Sequence, residues 1–171
     1  MSPKKQSIFE GRIISVALEN HPLPDGREVT FEMVHHPGGA AALPVLEDGR
    51  IILIRQFRPA ADGMVWEIPA GKLEPGEDPA DCIRREMQEE VGYRPAEVEP
   101  LGSMLSAIGF CDERVYLYIA KGLTAVESSP EADEFIEPVT MTLEAAMQML
   151  KKGEIIDAKT QLALLLAERC L

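Results

Sequence analysis

The first half of the chain alternates in the manner of strands. Residues 12–18 are short and β-branched, and residues 28–33 (EVTFEM) alternate strictly between apolar and polar, so each predicts a strand. Pro24-Asp25-Gly26 between them carries turn chemistry, and Pro37-Gly38-Gly39 breaks the chain. Residues 40–46 and 51–57 flank Glu47-Asp48-Gly49-Arg50, which predicts a hairpin on an Asp-Gly turn. Ile51, Ile52, Leu53 and Ile54 leave no polar face, as expected of a strand buried on both sides. A further short strand is expected at 65–68.

The period then changes. Residues 79–91 predict one strong helix, with Asp78 as N-cap, Pro79 at the first helical position and Gly92 at the C-terminal cap. Strands are expected at 98–106, 114–120 and 134–141. Two helices close the chain, at 143–152 behind the cap Thr142 and at 158–170 behind Asp157. Strands, helix, strands, helices make a mixed α/β layered arrangement rather than a regular βαβ repeat.

Composition bounds this picture. At 171 residues the chain suits one domain, or one domain with an extra arm. It is 46% hydrophobic and 27% charged, a balance that supports a packed core. Lys and Arg number 17 against 29 Asp and Glu, so the net charge is 17 − 29 = −12. That excess argues against nucleic-acid phosphates as the natural partner, but admits a small anionic substrate if a cation is recruited to the site. No apolar run approaches the ~20 residues of a membrane span, and the first residues hold no apolar segment of the secretory kind. The three cysteines, Cys82, Cys111 and Cys170, have no Cys-x-x-Cys spacing. They suit a reducing compartment, the cytoplasm, and neither a disulfide framework nor a zinc site.

The candidate chemistry lies on the helix. Glu86, Glu89 and Glu90 fall within five residues. At roughly 100° per residue, Ala80, Ile83, Met87 and Val91 form an apolar stripe about 80° wide; Glu90 lies about 20° beyond its edge and Glu86 about 60°, on the same side. Two carboxylates one turn apart therefore border the buried face, where they repel each other and resist ionisation unless a cation neutralises them. A hard divalent ion fits, and Mg²⁺ is the usual choice when phosphates complete its shell. Glu77 is placed to join the cluster, and Arg85 to pair with one of its acids. Taken alone, an acidic helix reads more often as a solvated face.

The spacing goes further. Gly71, Glu77, Arg85, Glu86, Met87, Glu89, Glu90, Gly92 and Tyr93 stand at the positions of the Nudix box, and the segment resembles it throughout, with aromatic Tyr93 where an aliphatic is usual. The likeness continues outside the box. Residues 54–58 (IRQFR), 66–71 (WEIPAG) and 109–114 (GFCDER) resemble segments of the ADP-ribose pyrophosphatase branch. One position departs from that branch: Ile108 stands where a proline precedes the Gly-Phe pair.

The resemblance implies an α/β (α+β) Nudix fold, a mixed β-sheet sandwiched between helices. Residues 1–38 would be an N-terminal β arm that pairs two copies into a homodimer, and 39–171 the hydrolase domain. It implies Mg²⁺-dependent hydrolysis of the pyrophosphate of a nucleoside diphosphate sugar, with ADP-ribose the first candidate, giving AMP and ribose 5-phosphate. Mn²⁺ is a substitute ion. Other nucleotide sugars such as GDP-mannose, nucleoside triphosphates and a non-catalytic nucleotide-sugar sensor are the alternatives. Metal binding is carried onto Ala70 through its carbonyl and onto Glu86, Glu90 and Glu89. The catalytic candidates are Glu134 as base, Glu89 and Arg85, and the substrate-binding candidates are Arg55, Arg58 and Glu113. Trp66 and Phe31 read as core aromatics, and His35 and His36 as structural or solvent-exposed.

Overall fold

The structure, a computed structural model, describes residues 5–129 and 135–170. These residues form two compact units, one from the residues up to Gly38 with Leu105–Arg114, the other from Gly39–Met104 with the residues from Val115 onward.

The first unit is an antiparallel sheet of β1 (Lys5–Glu10), β2 (Ser15–Pro22) and β3 (Glu28–His35), in that order. The strand expected at 12–18 starts at Ser15, because Gly11 N–H donates to Ile14 O and turns the chain there. Every residue of β1 is exposed, including Ile8 and Phe9, so the strand has no inward face. Residues 105–114 join this sheet through Val34 N–H to Phe110 O (2.7 Å) and Asp112 N–H to Val34 O (3.1 Å).

The second unit contains β4 (Gly39–Pro44), β5 (Ile51–Arg58), β6 (Gly63–Glu67), β7 (Ala70–Lys72), α1 (Pro79–Val91), β8 (Tyr93–Leu105), β9 (Arg114–Ala125), β10 (Ile136–Met141), α2 (Leu143–Lys151) and α3 (Ala158–Ala167). One sheet runs β7-β4-β9-β8 and is mixed, with β4 parallel to β9 and antiparallel to β7. The other runs β10-β5-β6 with antiparallel neighbours.

The hairpin expected across residues 47–50 is corrected here. Its turn is present, with Leu46 N–H on Arg50 O at 2.8 Å and a single bridge between Val45 and Ile51. The strands on either side then part into different sheets, because β9 and β7 take the edges of β4 while β10 and β6 take those of β5.

Both central strands divide their side chains between two cores. Ala41, Leu43, Ile51 and Leu53 pack with Ala146, Ala163 and Leu164 of α2 and α3. Ala40, Ala42, Ile52 and Ile54 pack with Cys82, Ile83, Met87 and Val91 of α1. The sheets therefore lie between α1 and the pair α2 and α3, the sandwiched mixed arrangement expected of this sequence. Helix α1 spans the expected residues. Asp78 accepts from Ala80 N–H at 2.8 Å, and Gly92 ends the helix at φ 69°, a left-handed conformation that glycine adopts without strain. The last helix stops at Ala167, short of the expected residue 170.

Candidate metal centre

The apolar stripe of α1 is buried, and that burial carries two acids inward with it. Glu86 is 8% exposed and Glu90 3%, one helical turn apart. Both face the strand β7. Glu90 Oε2 accepts from Ala70 N–H at 3.0 Å. Glu86 lies flat against Gly71: a Cβ at that position would sit 1.8 Å from Glu86 Oε1. Only glycine leaves room for the carboxylate, so the glycine that opens the motif is there for close approach.

Arg85 organises the outer side of the cluster. Its Nε donates to Glu77 Oε1 at 3.1 Å and its Nη2 to Glu77 Oε2 at 3.2 Å. Nη1 donates to Glu86 Oε1 at 2.6 Å and to Glu89 Oε2 at 3.1 Å. One planar fork thus ties three carboxylates. The Arg85 guanidinium holds Glu77 below the usual carboxylate range, and the carboxylates in turn raise the pKa of Arg85. Cys82, between them, is unreactive: burial, then the charges of Glu77 and Glu86, push its thiol up to about 12.

Among the described residues no three His, Cys, Asp or Glu side chains form a ready-made metal cage. The donor set is instead two buried carboxylates beside the Ala70 backbone. Hard oxygen donors of this kind, few in number, suit a divalent cation that takes its other ligands from phosphate and water. The space Gly71 leaves at Glu86 is consistent with such a site. A cavity of about 340 Å³ lies beyond the cluster, lined by Arg84, Arg85, Gln88, Glu89, Arg94 and Pro95. Glu86 and Glu90 do not line it, so this cavity is not the pair's own site.

The remaining candidates are dispersed. Arg58 donates through Nε and Nη2 to Glu67 at 2.7 and 2.8 Å, a bidentate pair with a carboxylate only 2% exposed. Arg55 lies 3.5 Å from Glu137 and 5.5 Å from the centre of the Trp66 ring. As an odd-numbered residue of β5 it shares the strand face of Leu53, away from α1. Trp66 packs against the α2 and α3 core, as expected, whereas Phe31, expected to be a core aromatic as well, is exposed on β3. Glu113 belongs to the first unit, where it is 3.5 Å from His36 Nδ1. Glu134 lies outside the described residues.

Sequence reasoning assigned no role to Glu67 or Lys159. A glutamate inside Val65-Trp66-Glu67-Ile68 was a readable signal, since a charge in an apolar strand demands partners. The partners were not readable: Lys159 is 92 residues away and donates to Glu67 Oε2 at 2.5 Å.

Among known proteins, the profile of the NUDIX domain matches residues 35–164 of this chain. The chain is 39% identical to the ADP-ribose pyrophosphatase of Bacillus subtilis (strain 168) over 162 residues, 94% of this chain and 88% of that protein. It is 38% identical over the same shares to the methanol dehydrogenase activator of Bacillus methanolicus. A crystal structure of an ADP compounds hydrolase superposes with a TM-score of 0.84 at 20% identity, over 100% of this chain and 95% of that one, and shares the fold.

Proposed function

The chain belongs to the NUDIX domain family, and from that premise we propose that it hydrolyses the pyrophosphate bond of ADP-ribose-type nucleoside diphosphate sugars. The observation that carries the reading is the buried pair Glu86 and Glu90 closing on Ala70 and Gly71. The likeness over 94% of the chain to an ADP-ribose pyrophosphatase supports the substrate class.

Glu86 and Glu90, with the Ala70 carbonyl, would hold a divalent cation, Mg²⁺ or in its place Mn²⁺, and Glu89 would hold a further one. What the bound ion supplies is neutralisation of the diphosphate and activation of a water near neutral pH. Arg85 orients Glu86, Glu89 and Glu77 through its hydrogen bonds. Attack of water on phosphorus releases AMP and ribose 5-phosphate from ADP-ribose. Glu134 takes the proton of the attacking water, and Glu89 is the second candidate for that part. Arg55 and Glu113 contact the substrate. Arg58, already forked onto Glu67, contributes a fixed positive charge rather than a second clamp.

The protein acts as a homodimer through its N-terminal arm, residues 1–38, with 39–171 as the hydrolase domain. Exposed Ile8, Phe9, Ile13 and Phe31 support that reading, because apolar patches of this kind mark interfaces. Among the described residues no helix is long and apolar enough to cross a membrane, and the free cysteines agree with a cytoplasmic setting. Light scattering should give twice 18.8 kDa; a fully active monomer removes the dimer.

The functional test is a nucleotide-sugar panel with Mg²⁺ and with chelator, products resolved by chromatography. Metal-dependent release of AMP from ADP-ribose is the expected result. Glu90→Gln, which keeps shape and deletes charge, should lower turnover at least about a hundredfold, since metal-borne stabilisation is worth several kcal/mol. Preference for another nucleotide sugar would keep the chemistry and move attention to Ile108. Ligand-induced thermal stabilisation without turnover would favour a sensor.

A further inference from the structure

The first turn of α3 and the strand end leading to the metal centre are joined by a closed ring of polar contacts. Lys159 Nζ bridges Glu67 Oε2 at 2.5 Å and Asp157 Oδ1 at 3.1 Å. Asp157 Oδ2 accepts from Thr160 N–H at 2.9 Å and from the Thr160 hydroxyl at 2.6 Å. The hydroxyl spends its one proton on Asp157, and its oxygen accepts from Ile68 N–H at 2.8 Å. Residues 67 and 68 are thereby held twice by one helical turn, at a place where Thr160 and Ile68 are fully buried.

The next three residues have little freedom left. Pro69 O accepts from Ala42 N–H at 3.0 Å. Ala70 N–H reaches Glu90, and Gly71 lies against Glu86. Within four residues the backbone passes from the α3 ring to the two acids of α1. An Ile68 N–H without its hydroxyl would be an orphaned buried donor, and the strand end would shift to satisfy it.

We infer that the first turn of α3 is a positioning element for the backbone that presents the Ala70 carbonyl, with Thr160 and Lys159 as its positioning residues. The inference rests on the reading that this carbonyl joins Glu86 and Glu90 in holding a divalent cation. Neither residue touches substrate; each acts through the direction in which residues 68–71 run. Groups that orient metal ligands in this way typically govern affinity by 10–100-fold, as an order of magnitude.

The test is a calorimetric Mn²⁺ titration of the chelator-stripped full chain, far below its melting temperature, with parallel melts in chelator. Thr160→Val keeps shape and deletes the hydroxyl; Thr160→Ser keeps it. Thr160→Val should weaken Mn²⁺ binding by about tenfold or more, while Thr160→Ser stays close to wild type. Lys159→Met leaves Glu67 paired with Arg58 and should weaken binding less, in the same direction. Wild-type Mn²⁺ affinity in a cooperatively folded Thr160→Val overturns the inference. If that variant does not fold in chelator, Lys159→Met decides by the same criterion. A Glu86→Gln control separates the two levels. If it binds Mn²⁺ as wild type does, the metal reading itself falls and the inference with it; if only Glu86→Gln loses binding, the metal reading stands and the inference falls.

Discussion

Two charged networks, one in each unit, have opposite construction. Around Glu67 a buried carboxylate is held by two cations, Arg58 and Lys159. Around His35 an imidazole is held by two carboxylates, Asp112 on Nδ1 at 2.5 Å and Glu19 on Nε2 at 2.8 Å. The first centre is only 2% exposed, whereas the His35 side chain is 28% exposed. Burial makes the Glu67 carboxylate depend on its partners; partial exposure lets water replace a missing partner of His35. The Glu67 network is thus a fixed support, and the His35 network one that titrates.

The largest expected effect breaks the fixed support. Glu67→Ala removes the carboxylate that Arg58 forks onto and leaves Lys159 with Asp157 alone, and breaking a buried pair from one side costs about 3–5 kcal/mol. Urea denaturation of the variant measures it. His35→Ala should cost about 1 kcal/mol or less. Equal losses would erase the distinction between the two networks. The pH response is directional too. Burial pushes the Glu67 carboxyl up, but Arg58 and Lys159 outweigh it and hold the group below its ordinary value of 4.5. A lowered folded-state pKa gives stability that is present above the ordinary value and lost as pH falls through the lowered one. The second unit is therefore expected to weaken in acid and to ignore pH near neutrality.

Next in size is the glycine that Glu86 lies against. Gly71→Ala places a Cβ 1.8 Å from Glu86 Oε1 and 1.9 Å from its carboxyl carbon. Glu86 cannot withdraw freely, since Arg85 holds the same oxygen. Overpacking of this kind costs about 1–3 kcal/mol, and melting together with turnover should register both the strain and the displaced acid. The first unit supplies the contrast in Gly109, where a Cβ meets nothing within 4 Å. Gly109→Ala should stay within about 0.5 kcal/mol of wild type. A tolerated Gly71→Ala would mean that Glu86 is more loosely held than its contacts indicate.

Legibility in the sequence divides along the same line. Helix α1 was readable to its caps because Asp78, Pro79 and Gly92 act within a turn of themselves, and the motif spacing marked its acids. Strand β1 was invisible because alternation records an inward face and β1 has none. The parting of β4 and β5 was hidden for a related reason: the Asp-Gly turn is local and real, but which sheet each strand joins is decided by β9 and β10, far along the chain. The acids of the site and their local partner Arg85 were legible, and the distant support was not. Arg85 reaches Glu77, Glu86 and Glu89 within eight residues, whereas Glu67 and Lys159 meet across 92.

The smallest expected effect belongs to the network that titrates. Asp112 and then Glu19 raise the His35 pKa above its ordinary value of 6.5. A raised folded-state pKa gives stability that is complete below 6.5 and lost as pH rises through the raised value. His35 also lowers Glu19, chiefly by its own hydrogen bond; for Asp112 burial pushes upward but the His35 contact prevails. Both acids are then charged well below neutrality. The neighbours that face this centre are Lys5 on β1, His21 on β2, and His36 and Glu113 beyond β3. Lys5 opposes a positive imidazole and the carboxylates favour it, with the carboxylates closer. Raising the pH past neutrality should therefore release Asp112 from His35 while the second unit keeps its stability. Amide protection at Val34 and Asp112, whose N–H groups lock residues 105–114 to β3, should fall by no more than about 1 kcal/mol. The same amides in His35→Gln should show no such step. A His35 ring that titrates below 6.5 by NMR, or protection that is flat across the range, would show this network to be as fixed as the one around Glu67.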